Sequence, residues 1–260
     1  MKNLLIKLHW FFSAQLGIDP RSFLNAFRGI PRFLGDLYVF KKSYAGKLTL
    51  VPCLHDWYSE AGSTQNEYFT QDLMVARMIN EANPLRHVDI GSRVDGFVAH
   101  VASYREIEVF DIRPVTTEIP GVVFKQADFM SSVSGYEGYC DSLSCLHAIE
   151  HFGLGRYGDP IDPMGYERGL TNMSLLLKPG GYLYLASPIG EERVEFNANR
   201  IFDPQTIKSC AEKNGLDLSR LFKVSQKGTV IDVNINSDVL SSLSTENYNL
   251  GIFVFIKRYS

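Results

Sequence analysis

The chain is 260 residues long, 45% hydrophobic and 21% charged, with a net charge of -3 and a mean hydropathy of -0.07. These values place it among soluble globular proteins large enough to bury a sizeable core, and the net charge carries no nucleic-acid signal. The charge is uneven: eight Lys and Arg against two acids, Asp19 and Asp36, put +6 on residues 1–50 and leave -9 on the remaining 210.

Residues 1–45 read as a helical N-terminal extension of two amphipathic helices. The first carries Leu4, Leu5, Leu8, Phe11 and Phe12 at helical spacing; Asp19-Pro20 forms the cap and first turn of the second, which Pro31 kinks or splits. A basic, aromatic-rich amphipathic head lies on an anionic membrane surface, or packs on the main domain or a partner subunit, including self-association. The packing alternative is favoured. Lys7 and His9 interrupt the opening apolar stretch, so it is not read as a signal peptide. No segment approaches the ~20 apolar residues of a membrane span. The four cysteines (Cys53, Cys140, Cys145, Cys210) form no CxxC pair, which argues for a reducing compartment without structural zinc and with no metal site. The expectation is a cytoplasmic protein, at most peripheral to an inner membrane.

Residues 46–260 read as one α/β domain. The stretch 47–54 is a short strand candidate; residues 67–82 then turn helical, with Phe69, Leu73, Ala76 and Ile79 as the apolar stripe and Asn83-Pro84 as the stop. Strands are expected at 86–90, 106–111, 121–126, 139–146 and 181–187, with helices at 95–104, 164–177 and 203–214. The segments 221–235 and 249–258 read as two longer strands, antiparallel to each other. This alternation implies a mostly parallel, Rossmann-like sheet with helices on both faces.

In such a sheet ligands sit outside the carboxyl ends of the strands. The first exit, 89-DIGSRVDGF-97, is an acid followed by a glycine turn that lets backbone approach a ligand. It lacks the GxGxxG of a dinucleotide fold, which argues against a dehydrogenase. Asp111 follows 22 residues after Asp89, the spacing at which an acid binds ribose hydroxyls. Asp128 is placed to accept from an adenine amino group, with Phe129 beside the ring.

Here the sequence resembles the class I S-adenosylmethionine-dependent methyltransferases, on 89-DIG-91, Asp111, Asp128, 149-IEH-151 and 178-KPGGYLYLASP-188. It is more similar still to the family called domain of unknown function 268, on 67-EYFTQDLMVA-76, 87-HVDIGSRVDGFVAHVAS-103, 147-HAIEHFGLGRYGDPIDPMG-165 and 195-EFNANRIF-202. The resemblance implies a seven-stranded sheet whose last strand is antiparallel, with S-adenosylmethionine as cofactor. Asp89 and Gly91 would face its methionine end, Asp111 its ribose and Asp128 its adenine, with Phe129 beside the ring; Ser92, Ile112 and Leu146 would line the same cofactor site. It also implies a setting in bacterial surface-polysaccharide biosynthesis. The sequence departs from the pattern at Arg93 and Asp95, where the glycine loop carries charge.

The loops after strands four and five form the acceptor side of this reading. Residues 150–165 hold four glycines, two prolines, Arg156, Tyr157 and Asp159, and long loops in compact domains are usually functional or disordered. Arg156 and Arg200 form a candidate clamp for a phosphate or carboxylate. Tyr157 and Phe196 are candidates to stack on a sugar, and Asn197 lines the same side. Methyl transfer to a hydroxyl needs a base, and His147 and His151, oriented by Glu150 or Asp159, supply histidine, the residue type that changes charge nearest neutrality. Glu150 and His151 read equally as braces of the turn, Arg156 with Asp159 as a local salt bridge, and His100 as a packing residue. Replacing Arg156 by alanine is expected to abolish turnover. The leading function is methyl transfer to a hydroxyl of a sugar or other small-molecule or glycan acceptor. The alternatives are a non-catalytic binding or assembly protein and a nucleotide-sugar enzyme.

Overall fold

The computed structural model describes residues 11–17, 19–62, 64–131 and 133–259. Leu4, Leu5 and Leu8 of the first expected helix lie outside these residues. The chain divides into two compact units, Met1–Ser63 and Thr64–Ser260.

The first unit is built on α1, Pro20–Ser43. Proline at its first position costs no hydrogen bond, because that N–H has no helical acceptor. Of the expected kink or split at Pro31, the split does not occur: one missing N–H leaves the rest of the ladder to carry the helix through. Its polar face bears Arg28 and Arg32, which stack over Tyr58 and Trp57. Its apolar face, Phe23, Phe27, Ile30 and Leu34, is exposed. Residues 47–54 form no strand: Pro52 lacks a donor, and no ladder partner lies alongside. These residues group with α1 rather than with the α/β unit to which the sequence reading assigned them.

The second unit opens with α2, Glu67–Ala82, whose first N–H groups are met by Asn66 Oδ1 accepting from Phe69 N at 2.8 Å. It ends at Asn83 in the left-handed conformation. The buried face of α2 is Glu67, Gln71, Asp72, Val75, Ala76 and Ile79, while Phe69 is exposed. The inward face is therefore polar for two turns and apolar only after them. The expected stripe through Phe69 and Leu73 is rotated from the true one.

The strands follow as β1 (His87–Ile90), β2 (Ile107–Asp111), β3 (Val122–Gln126), β4 (Cys140–Leu146) and β5 (Leu177–Ile189). After them come β6 (Arg193–Glu195), β7 (Asn199–Ile201), β8 (Leu216–Val224), β9 (Val230–Asp232) and β10 (Asn249–Lys257). Eight make one sheet in the order β3-β2-β1-β4-β5-β10-β8-β9, and β6 with β7 forms a separate hairpin. Neighbours from β3 to β5 pair in parallel, and β10 is antiparallel to both β5 and β8. The expected run 221–235 is broken at Gly228, whose φ is +81°. Its second half returns as β9, an antiparallel eighth strand at the edge.

Helices cover both faces: α3 (Ala99–Ala102), α4 (Gly165–Leu176), α5 (Pro204–Lys213) and α6 (Ser237–Leu243). One core joins Leu143, Cys145, Leu183 and Leu185 to Leu170, Met173 and Ile207. The other joins Val109, Leu146, Tyr184 and Ala186 to Val75, Ile79, Phe97 and Val101. Alternate residues of β4 and β5 serve opposite faces, as the period of two requires. All four cysteines are free, and three are buried. No helix among the described residues is long and apolar enough to cross a membrane.

Candidate functional site

The strand order reverses between β1 and β4, the position at which a crevice opens beyond the carboxyl ends of such sheets. The β1 exit turns at Gly91, with φ +71°, and its N–H donates to Phe110 O at 2.8 Å. A Cβ there would lie 3.0 Å from the Ala148 Cβ, so glycine lets the turns after β1 and β4 touch.

Beneath them runs a closed polar chain. His87 hydrogen-bonds Ser142 Oγ at 2.8 Å and Ser144 Oγ at 3.1 Å, and Ser144 donates to Asp89 Oδ1 at 2.5 Å. Ser92 donates to Asp89 through both its hydroxyl (2.6 Å) and its backbone (3.0 Å), and its hydroxyl accepts from Leu146 N at 3.0 Å. Burial pushes the Asp89 carboxyl up to about 7 and the His87 imidazole down to about 3. Asp89, Ser92 and Leu146 are buried. They brace the glycine turn from below instead of presenting side chains to a ligand.

The charged glycine loop neutralises itself. Arg93 makes two bonds to Asp95, at 3.1 and 2.8 Å, and both side chains are exposed. At Gly96 an added Cβ would sit 2.8 Å from Asp72 Oδ2, so a larger residue there would displace that carboxylate. His100 donates Nδ1–H to Gly96 O at 2.8 Å, as a packing residue would.

Asp111 stands at the end of β2, but its carboxylate is already held. Arg113, two residues on, reaches it through the backbone N–H (2.8 Å), Nε (3.0 Å) and a terminal nitrogen (2.6 Å). The same guanidinium lies 4.4 Å over the Tyr157 ring. Ile112 gives its carbonyl to Gln126. Asp128 caps its own turn, accepting from Met130 N at 2.8 Å and Ser131 Oγ at 3.1 Å. Phe129 is buried edge-on against Phe110, with ring centroids 5.4 Å apart, so it belongs to the core and not beside an open adenine slot.

After β4 the geometry becomes reactive. His147 has φ +51°, a conformation uncommon outside glycine that rewards inspection at functional sites. Its Nδ1–H donates to Glu150 Oε1 at 3.0 Å. The other nitrogen, Nε2, is buried with no hydrogen-bond partner and lies 4.0 Å from Glu67 Oε1. Tyr68 stacks on the imidazole at 4.3 Å. Burial would raise the Glu150 carboxyl, but the His147 hydrogen bond and the two flanking imidazoles hold it below the usual glutamate range. Burial pushes His151 down, and its Nδ1–H is spent on Ala198 O at 2.7 Å. His147 keeps Nε2 buried and unpartnered, whereas His151 braces the β6–β7 hairpin through Nδ1 and sets its Nε2 3.7 Å from Glu150 Oε1.

The glycine-rich loop holds itself together. Asp159 accepts from the backbone N–H of Gly153, Gly155 and Tyr157, at 2.8, 3.0 and 3.2 Å, so it makes no pair with Arg156. Arg200, 5% exposed, donates to the carbonyls of Phe152 (2.6 Å), Pro163 (3.1 Å), Glu150 (3.4 Å) and Asp162 (3.5 Å). Arg156 donates to Ala198 O at 2.7 Å. The expected Arg156–Arg200 clamp is therefore not formed: one guanidinium pins the loop from inside, and the other ties it to the hairpin. Asn197 and Phe196 lie exposed at the hairpin tip.

Sequence reasoning missed Arg113 and the polar face of α2. Glu67 accepts from the Tyr248 hydroxyl at 2.5 Å, and Gln71 donates to Asp72 Oδ1 at 2.9 Å. Glu67 Oε2, Gln71 Oε1 and Glu150 Oε2 are buried without partners, like His147 Nε2. Buried polar atoms are normally satisfied, so such a concentration marks a place built for an external group. The signal available was the i, i+4 spacing of Glu67 and Gln71. No group of three His, Cys, Asp or Glu among the described residues is arranged to hold a metal.

Solved structures share this architecture. The [4+2]-cyclase SpnF aligns over 72% of this chain and 82% of its own at 13% identity, TM-score 0.52. An S-adenosylmethionine-dependent methyltransferase from Thermotoga maritima aligns over 74% and 89% at 16% identity, TM-score 0.51. The Haemonchus contortus phosphoethanolamine N-methyltransferase 2 in complex with S-adenosyl-L-methionine aligns over 78% of this chain and 56% of its own at 14% identity, TM-score 0.52. No curated protein matches the chain in sequence. The fold is that of the class I methyltransferases, with helices preceding the sheet. Within it, residues 119–257 match the family described as Caenorhabditis protein of unknown function, DUF268, and the chain belongs to that family. That description names no bacterial polysaccharide setting.

Proposed function

We propose that the chain is an S-adenosylmethionine-dependent methyltransferase that uses His147 as the base for a hydroxyl acceptor. The observation that carries this reading is the His147–Glu150 pair: Nδ1–H is committed to a carboxylate, leaving Nε2 as an unpartnered acceptor in the crevice. Such an arrangement holds a base in one tautomer and one orientation. The shared fold, and the S-adenosyl-L-methionine in the Haemonchus enzyme, support the choice of cofactor. Asp111 fits the ribose hydroxyls once Arg113 releases it, and the Gly91 turn allows close backbone approach.

The cofactor supplies an electrophilic methyl group, and transfer leaves S-adenosylhomocysteine. On the protein side, His147 Nε2 takes the acceptor proton as the methyl ether forms, and Glu150 stabilises the resulting imidazolium. The exposed Phe196 offers an aromatic face, which supports a sugar or sugar-linked acceptor. The Asp111–Arg113 pair favours one second reading, a nucleotide-sugar enzyme in which Arg113 turns to a ligand phosphate. Calorimetric titration with S-adenosylhomocysteine, with NADH and UDP-glucose as controls, separates the two. Micromolar binding of S-adenosylhomocysteine that is lost in Asp111→Ala supports methyl transfer; binding of UDP-glucose alone sinks it.

A further inference from the structure

The unpartnered atoms on the crevice floor share one chemical character. Glu67 Oε2, Glu150 Oε2 and Gln71 Oε1 accept hydrogen bonds and cannot donate them, and His147 Nε2 is an acceptor in the tautomer fixed by Glu150. The charge is equally one-sided. Glu67 has a neutral tyrosine hydroxyl on one oxygen and His147 4.0 Å away, Glu150 has the His147 and His151 imidazoles on the same oxygen, and no Lys or Arg among the described residues pairs with either. Glu150 and Gln71 are each 1% exposed and Glu67 8%. Buried carboxylates without a cation are costly, and the usual remedy is a paired charge with donors for the remaining lone pairs.

The floor has one open side. Tyr68 is 41% exposed, although its ring stacks on the buried His147. Its free face can receive a cation from solvent and hold it against the ring. Gln71, one helical turn beyond Glu67 on the same inward face, spends its amide N–H on Asp72 and keeps its carbonyl oxygen buried without a partner.

We infer that the acceptor seated in this crevice carries a protonated primary amine, held by Glu67, Gln71 and Glu150 with Tyr68 beside it. This rests on the methyltransferase reading for the word acceptor, while the amine site itself rests on the floor alone. An ammonium brings three donors and no acceptor, which is the complement of what the floor offers. Its place relative to the reacting hydroxyl follows from one distance. Glu67 Oε1 lies 4.0 Å from His147 Nε2, so a ligand touching both carries its amine and hydroxyl only a few bonds apart. The class is a short-spaced amino alcohol, which includes the 2-amino sugars.

An ammonium could also come from the amino end of the cofactor, and the test separates these sources. The protein is titrated, alone and saturated with S-adenosylhomocysteine, with ethanolamine and glucosamine against ethylene glycol and glucose. The expected result is at least tenfold tighter binding of each amine than of its neutral counterpart, with the preference lost in Glu67→Gln. Tyr68→Leu, at a partly exposed position, should weaken the amines several-fold and serves should Glu67→Gln fail to fold. Equal binding of amines and neutral diols overturns the inference. So does a Glu67→Gln variant that loses S-adenosylhomocysteine affinity but keeps amine discrimination. Amine binding without S-adenosylhomocysteine binding upholds the site and removes the methyltransferase reading instead.

Discussion

Replacing Arg200 should be felt in stability before chemistry, because its guanidinium is enclosed by carbonyls of its own chain. Two of its four hydrogen bonds are short, 2.6 Å to Phe152 O and 3.1 Å to Pro163 O, and two are long, 3.4 Å to Glu150 O and 3.5 Å to Asp162 O. A hydrogen bond from a charged donor contributes about 1.5–3 kcal/mol net, so the short pair sets a scale of about 3–6 kcal/mol. The lower end applies to Arg200→Ala, since burying the guanidinium carries its own desolvation penalty, seen in its lowered pKa, and water entering the space recovers part of the loss. We expect Arg200→Ala to lose about 3 kcal/mol in urea unfolding, with cleavage in the 150–163 loop appearing under limited proteolysis. Arg200→Lys, one cation without the fork, should fall between. Arg156→Ala, truncating an exposed side chain with one bond to Ala198 O, should stay within about 1 kcal/mol of the parent. If Arg200→Ala is as stable as the parent and its loop as protected, the guanidinium does not pin the loop, and the substrate-clamp reading returns.

Other substitutions probe the same site. Arg113→Ala frees the Asp111 carboxylate from an ion pair whose basic partner is about half exposed, so S-adenosylhomocysteine should bind up to roughly tenfold tighter by calorimetry; weaker binding would make Arg113 a ligand contact. At Gly153 (φ +78°) an added Cβ would overlap the Asp162 carbonyl, whereas Gly158 (φ +86°) faces open space. Thermal melts should therefore show Gly153→Ala losing more than about 2 kcal/mol and Gly158→Ala about 1 kcal/mol. The buried pair under the glycine turn has opposing pH effects. Asp89, raised from 3.8 to about 7, makes stability fall as pH rises through that window, and His87, lowered from 6.5 to about 3, makes it fall as pH drops through its own. The two slopes cancel between pH 4 and 6.5, so His87→Gln should expose a decline of about 1.4 kcal/mol per pH unit in urea unfolding; an unchanged pH profile would refute the opposition.

The differences between expectation and structure have a common physical origin. Strands β1 to β4 and the antiparallel β8–β10 pair were legible because apolar runs bounded by turns report burial directly. β9 was not, because Gly228 lies inside an otherwise continuous β-like run, and only its φ of +81° reveals the reversal. Asp111 and Asp128 do stand at strand exits, yet a residue's position along the chain says nothing of what its carboxylate already holds. Arg113 and the Met130 N–H hold them, each only two residues away. In sequence Arg200 pairs with Arg156 as a candidate clamp because loop cations invite a substrate; the carbonyls that surround it come from residues 150–163 and converge only in three dimensions. The α2 error is the most instructive. Reading amphipathicity assumes that the inward face is the apolar one, and that assumption fails where a helix turns its first two turns toward a ligand site. The expected stripe runs through Phe69 and Leu73, yet it is the polar Glu67, Gln71 and Asp72 that are buried. A polar inward face costs stability unless something else satisfies it, which is why the misread turns of α2 are where the search for a substrate should begin.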